Sequence, residues 1–407
     1  MKLQNLLYAT MVTCAFSACS NDDGPNIPDP ALELDATLTV GFSAIGANKA
    51  PSTFSTPVTR SNATDSEVDR VGIAVFNAGA MSPAMADGAL INYKEQSVTD
   101  SEVDSTACVD VKSGRVEILV IVNPPAGAFT DINTLDAFKA AATKNVELES
   151  AKPIMASSVI PVDVKKGRNV IASATDISKF KDVSNSITGE GNIKVFRNIA
   201  NIQLKSIKLK PREDFKTDAK LKVKKAYIMH YREGVQFFGA ATPWCKVVDT
   251  DARIVSNKTG SDTEDKYTHV FEKEVTANAP ATNMTEGNFF VYDNSADSPF
   301  AENALTNATA LVIQGDYSYT AGNGEARTVK DAYWTVYLNN TKAQAGHPDY
   351  SAVTVHCGVL RNVQYIVNAT ITGPGSIDPE TPSEAASLTA NIEVVEWGTV
   401  TLDENID

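Results

Sequence analysis

Basic charge, cysteine, histidine and long apolar runs are all scarce in this chain, and each scarcity closes a class of function. Lys and Arg number 36 against 50 Asp and Glu, a formal net charge of -14, which excludes the cationic surplus that neutralising phosphates or an anionic membrane requires. Past residue 19 the cysteines are Cys108, Cys245 and Cys357. An odd number at wide spacing is neither a disulfide framework nor a zinc pattern, and predicts buried single thiols. Of the four histidines, His230, His269, His347 and His356, none has a second histidine at a metal-ligand spacing. Gly-x-Ser-x-Gly, Walker and dinucleotide fingerprints are missing as well. Neither an enzyme nor a cofactor is expected. After the apolar run Leu6 to Ala18 no second run is long enough to cross a bilayer.

That first run, preceded by Lys2, has the length of a secretory signal rather than a permanent span. It ends in Phe16-Ser17-Ala18-Cys19, which resembles a bacterial lipobox, with Phe16 where Leu is usual. The resemblance implies cleavage before Cys19 and attachment of diacylglycerol and palmitate to that cysteine. Ser20-Asn21-Asp22-Asp23-Gly24, with Pro25, Pro28 and Pro30 behind it, cannot form a packed element and reads as a solvated tether.

Beyond the tether, Leu32, Leu34, Ala36, Leu38, Val40, Phe42 and Ala44 alternate with polar or small residues, the period of a half-buried strand. A loop follows that contains Lys49, just ahead of Ala50-Pro51, and Arg60, within the Ser/Thr/Asn/Pro stretch Thr53 to Thr64. Such exposed stretches are where proteases nick, and Arg60 is the preferred site, with Lys49 as the alternative.

The body reads as mostly β. Val68 to Phe76, Arg115 to Val122 and Arg197 to Leu209 are rich in Val, Ile and Leu at a period near two, the last with slips after Ile199 and Leu204 that predict bulges. Lys222 to His230, Gly287 to Asp293, Ala310 to Tyr319, Tyr333 to Asn339, Val363 to Thr372, Leu388 to Val395 and Val400 to Leu402 continue the pattern between turn-forming clusters. The best helix runs from Thr134 to Lys144, with Thr134 as N-cap and Leu135, Phe138 and Ala142 on one face. A polar stretch between Lys179 and Asn192 marks a boundary between two domains, and short strands at this spacing point to sandwiches.

The closing stretch, Tyr365-Ile-Val-Asn-Ala-Thr-Ile-Thr-Gly-Pro-Gly, followed by Leu388-Thr-Ala-Asn-Ile-Glu-Val-Val-Glu-Trp397, is similar to the end of the FimA-like major fimbrillins of Bacteroidetes, the type V pilins. Ala36-Thr-Leu-Thr-Val, Val71-Gly-Ile-Ala-Val-Phe-Asn, Leu119-Val-Ile-Val-Asn-Pro and Phe196-Arg-Asn-Ile-Ala-Asn-Ile-Gln-Leu fall in the same order, so the resemblance spans nearly the whole chain.

It implies two tandem transthyretin-like β-sandwich domains with a minor helix. The plan is a signal peptide over 1–18, a removable tether, first strand and cleavage loop over 19–60, and sandwiches over 61–190 and 191–407. An Arg- or Lys-specific, trypsin-like protease would cut at Arg60 or Lys49, and the displaced strand would take Leu32, Leu34, Leu38, Val40 and Phe42 with it. A C-terminal strand of another copy would fill the vacancy by strand addition, through Leu388, Ala390, Ile392 and Val394 or through Val400 and Leu402. The expected location is the outer membrane as a lipoprotein precursor, then a cell-surface fimbrium. Partners would be other copies, accessory fimbrial subunits and host or bacterial surface ligands. A lipid-retaining anchor, tip or accessory subunit and a surface glycan-binding lipoprotein stay open as alternatives, the latter wanting exposed aromatics beyond the scattered Trp244, Trp334 and Trp397.

Overall fold

A computed structural model describes residues 33–42, 69–79, 85–97, 105–144, 153–171, 177, 182–187, 193–238, 253–260, 267–277, 279–296, 300–340, 357–381, 388–396 and 400–402. The first elements are β1 (Ala36–Phe42), β2 (Arg70–Asn77), β3 (Leu90–Ser97), β4 (Ser105–Val111), β5 (Gly114–Val122) and the helix α1 (Leu135–Ala140). Then come β6 (Ala142–Lys144), β7 (Met155–Ser157), β8 (Ile160–Val164), β9 (Gly167–Ile171), β10 (Asn185–Ile187) and β11 (Ile193–Arg197). After the crossing at Asn198 follow β12 (Ile199–Leu209), β13 (Lys220–Met229), β14 (Tyr231–Arg232), β15 (Gly234–Gln236), β16 (Ile254–Val255) and β17 (Thr268–Thr276). The remainder is β18 (Thr282–Tyr292), β19 (Asn294–Ala296), β20 (Ala310–Thr320), β21 (Ala326–Tyr337), β22 (Cys357–Val359), β23 (Val363–Ile371), β24 (Leu388–Glu396) and β25 (Val400–Leu402).

Two sandwiches result. In the first, a sheet ordered β10-β9-β1-β4 faces a larger one ordered β25-β11-β7-β5-β2-β3, with β8 also on β5. Leu38, Val40, Val71, Ile73, Val75, Val109, Ile118 and Val120 meet between the two layers. The outer face of the larger sheet is also covered: Ala74, Phe76, Leu119 and Ile121 pack there on Phe129 and Phe138. Burial on both faces explains why β2 and β5 read as near-continuous apolar runs instead of alternating ones.

In the second sandwich, β18-β12-β23-β24 faces β17-β13-β20-β21 across one core. Phase changes along its strands are bulges. The ladder of β12 shifts between Leu204 and Ser206, so that Ile202 and Leu204 before it, and Ile207 and Leu209 after it, all enter the core. No shift is recorded within β12 just after Ile199; the break there lies one residue earlier, at Asn198. A second bulge at Lys224 turns β13 over, so Leu221, Val223, Ala226 and Ile228 all point inward, as an inserted residue must make them do.

The crossing at Asn198 comes a few residues beyond the polar stretch 179–192, and β11 lies in the first sandwich's larger sheet. The final strand, β25, also returns there and pairs with β11. The two sandwiches touch through β6 on β15 and through Phe129, whose ring stacks on Phe138 at 4.9 Å and lies 5.2 Å from Phe237. Thr134 caps α1 by accepting a hydrogen bond from the Ala137 N–H, but the helix stops at Ala140. Ala142, expected on the helix face, is in β6, because pairing with Gln236 supplies the hydrogen bonds that another helical turn would have made.

Candidate functional site

The strand with the strict alternation, β1, is not at an edge. Its residues pair antiparallel with β4, from Ala36 opposite Val111 to Phe42 opposite Ser105. On its other side Ala36 to Val40 pair in parallel with Gly167 to Ile171 of β9. Leu38 and Val40 are fully buried and Leu34 packs partly against the same core. Burying Leu38 and Val40 alone contributes about 3 to 6 kcal/mol gross, at roughly 1.5 to 3 kcal/mol per side chain. Withdrawing β1 would therefore open a slot with an apolar floor and two unpaired strand edges, β4 and β9.

A polar corner fixes the start of β1. Asp35 Oδ1 accepts from the Ser113 N–H at 2.7 Å and Oδ2 from the Ser113 hydroxyl at 2.9 Å. Lys112 Nζ stands 3.5 Å and Lys166 Nζ 3.6 Å from Oδ2. Burial works to raise the Asp35 carboxyl, but the Ser113 hydrogen bonds and the Lys112 charge outweigh it and hold the group below its ordinary value. The Gly167 N–H donates to the Asp35 carbonyl at 3.1 Å. Farther in, the buried Asn169 side chain donates to the Thr37 carbonyl at 3.3 Å.

Among the residues anticipated from sequence, the structure joins Leu38 and Val40 in β1 and one core, with Leu34, two residues ahead of the strand, packed partly against the same core. Phe42 ends β1, and its side chain lies outside the described residues, as do Leu32, Cys19, Lys49 and Arg60. Leu388 is buried in the second sandwich, with Ala390 and Ile392 packed partly against that core; Val394 falls in β24 and Val400 and Leu402 in β25. These candidates sit in two different places: β24 covers an edge of the second sandwich over nine paired positions, whereas β25 pairs over three positions with the first.

Missed in the sequence were β4, β9 and the corner residues Asp35, Lys112, Ser113 and Lys166, which no short-range pattern connects. Among the described residues no group of His, Cys, Asp or Glu is arranged to hold a metal. His230 donates from Nδ1 to the Ala308 carbonyl at 3.3 Å and faces the Glu380 carboxylate through Nε2 at 3.4 Å, a structural histidine. Cys357 is buried and Cys108 half-buried; Cys245 lies outside the described residues. Trp334 is fully buried, its indole N–H donating to the Gly373 carbonyl at 3.0 Å, so it offers no exposed platform for a sugar; Trp244 and Trp397 lie outside the described residues.

Residues 199–397 match the family model of the FimA4 pilin C-terminal domain. Over 98% of both chains, the sequence is 24% identical to the major fimbrium subunit FimA type-2 and 26% identical to the type-3 subunit, both of Porphyromonas gingivalis. The fold is shared with a crystal structure of a fimbrilin from Porphyromonas gingivalis, at 17% identity and a TM-score of 0.54, covering 92% of this chain and 99% of that one. A structure described as a candidate cell adhesion protein from Parabacteroides distasonis matches at 19% identity and a TM-score of 0.64, covering 89% and 98%.

Proposed function

We propose that the chain is a FimA-like fimbrillin, a fimbrial structural subunit and not an enzyme, made as a lipoprotein and polymerised by strand exchange at the β1 slot; the match of residues 199–397 to the FimA4 pilin C-terminal domain and the full-length similarity to major fimbrium subunits support this. Lipid would be carried on Cys19, and a trypsin-like protease would cut after Arg60, or after Lys49. The observation that carries this reading is the double pairing of β1 between β4 and β9, in a strand joined to the rest of the body only through residues 43–69, which include both basic sites. One cut in that connection frees the strand and leaves every other described element covalently intact.

The vacated slot cannot stay open in water, since two strand edges and an apolar floor are exposed together. The C-terminal stretch of another copy, Leu388 to Leu402, is the proposed filler. Leu388, Ala390, Ile392 and Val394 repeat the spacing of Leu34, Ala36, Leu38 and Val40, and Val400 and Leu402 offer a second alternating pair close to the chain end. The product is a cell-surface fimbrium that supports adhesion through copies of this chain and accessory subunits, with host or bacterial surface ligands as its contacts.

The test uses the full-length, lipid-free chain. Brief trypsin treatment followed by SDS-resistant laddering and N-terminal sequencing is predicted to give polymers whose subunits begin at Ser61. A product trimmed at that site but permanently monomeric would reject the stalk assignment.

A further inference from the structure

The corner that holds Asp35 is built almost entirely from residues that do not leave with β1. Lys112 and Ser113 form the turn from β4 to β5, and Lys165 and Lys166 the turn from β8 to β9. The ladder between β5 and β8 sets these turns side by side, Gly114 opposite Val164. Asn169 secures the second turn from within: its Oδ1 accepts from the Lys165 N–H at 2.9 Å, and its Nδ2 donates to the carbonyls of Lys165 at 2.6 Å and Gly167 at 3.0 Å. Departure of β1 would remove only the carboxylate. A preformed receptor stays behind, with one backbone N–H, one hydroxyl and two ammonium groups converging on an empty position. Among the described residues neither Lys112 nor Lys166 has another carboxylate partner.

We propose that this corner is a carboxylate receptor that sets the register of the incoming strand, and that its ligand is Asp403 from the C-terminal end of a second copy. The inference rests on the strand-exchange reading and adds to it which strand enters and how it is aligned. In β1 the carboxylate is followed inward by Ala36, Leu38 and Val40, one, three and five positions away. Asp403 has Leu402 and Val400 at one and three positions on its N-terminal side and Gly398 at five, so a strand running opposite to β1 brings only apolar or small residues to the floor. In the same direction as β1, Asp403 would send Glu404 inward. Aligning β24 by its apolar residues instead places Thr389 at the corner and leaves both lysines without an anion. It would also strip Leu388, Ala390 and Ile392 from the second core, whereas β25 gives up only three paired positions.

The full-length chain, cut with an Arg-specific protease in the presence of a labelled peptide of residues 396–407, tests this. The wild-type peptide is expected to be retained and to block laddering. An Asp403→Asn peptide should bind about tenfold more weakly, in keeping with loss of charge-assisted hydrogen bonds. A chain carrying Lys112→Ala and Ser113→Ala should lose about tenfold for the wild-type peptide and nothing further for the Asn peptide, the non-additivity of a direct contact. The melting temperature of the cut, peptide-bound chain checks that this variant is folded. Equal binding of the two peptides, or preference for a 386–397 peptide, overturns the receptor while leaving strand exchange intact; failure of both peptides to bind overturns strand exchange and the receptor together.

Discussion

Asp293 and Arg361 face each other with both side chains wholly buried, carboxylate Oδ2 3.9 Å from guanidinium Nε. The guanidinium also donates to the Asn198 side chain at 3.3 Å and to the carbonyls of Phe237 at 3.3 Å and Gln236 at 2.8 Å. The Ser295 hydroxyl donates to Asp293 at 2.8 Å. Asn198 is the residue at which the chain passes between the sandwiches, so one buried cation ties the crossing, the start of the aromatic contact and the second sandwich together.

Asp293→Ala should therefore cost about 3 to 5 kcal/mol, because it takes a carboxylate away from a charged, wholly buried guanidinium. Urea unfolding measures this loss. Combining it with Arg361→Met should recover much of the loss, since the desolvated charge goes with the substitution.

Asp35 makes the hold on β1 sensitive to acid. Its folded carboxyl lies below the ordinary value of 3.8, so the unfolded or strand-released form binds the proton more readily. The stabilisation is complete above that value and is lost as pH falls through the lower, folded one. Asp35→Asn should weaken retention of β1 at pH 7 by about 1.5 to 3 kcal/mol, the range for hydrogen bonds to a charged group. The difference from wild type should shrink steadily below pH 4 in urea titrations followed by retention of the N-terminal segment.

A strap over the second sandwich supplies a third prediction. Gly375 has φ +72, and a Cβ there would meet the Tyr333 carbonyl and Trp334 Cε2 at 2.8 Å each. Ser376 and Tyr333 exchange backbone hydrogen bonds just beyond it. Gly375→Ala should detach this crossing at a cost of about 1 to 3 kcal/mol, the scale of a backbone held in a disfavoured region. The fluorescence of the buried Trp334 should shift to longer wavelength.

The strands legible in the sequence were those whose burial leaves a long mark. β5, β13, β20, β23 and β24 begin and end within two residues of their apolar runs, and the first four fill a core along most of their length. β4, Ser-Thr-Ala-Cys-Val-Asp-Val, and β9, Gly-Arg-Asn-Val-Ile, carry too few apolar residues to announce themselves. They are strands because β1 pairs with both. The first half of β21, Ala326 to Lys330, is polar and takes its conformation from β20. For the site, the alternation of β1 was plain, but its position between two strands was not. The corner was invisible for a simpler reason: Asp35 and Ser113 are 78 residues apart.

The central claim is that β1 must leave before another strand can enter, and a native thiol provides a lock for it. Thr39 lies directly opposite Cys108 on the antiparallel neighbour, a spacing within reach of a disulfide. Thr39→Cys should bond to Cys108 under mild oxidation. The oxidised chain, cut after Arg60, should keep its N-terminal segment and stay monomeric, and adding reductant should release the segment and start laddering. Polymers that form while the disulfide is intact would contradict the account.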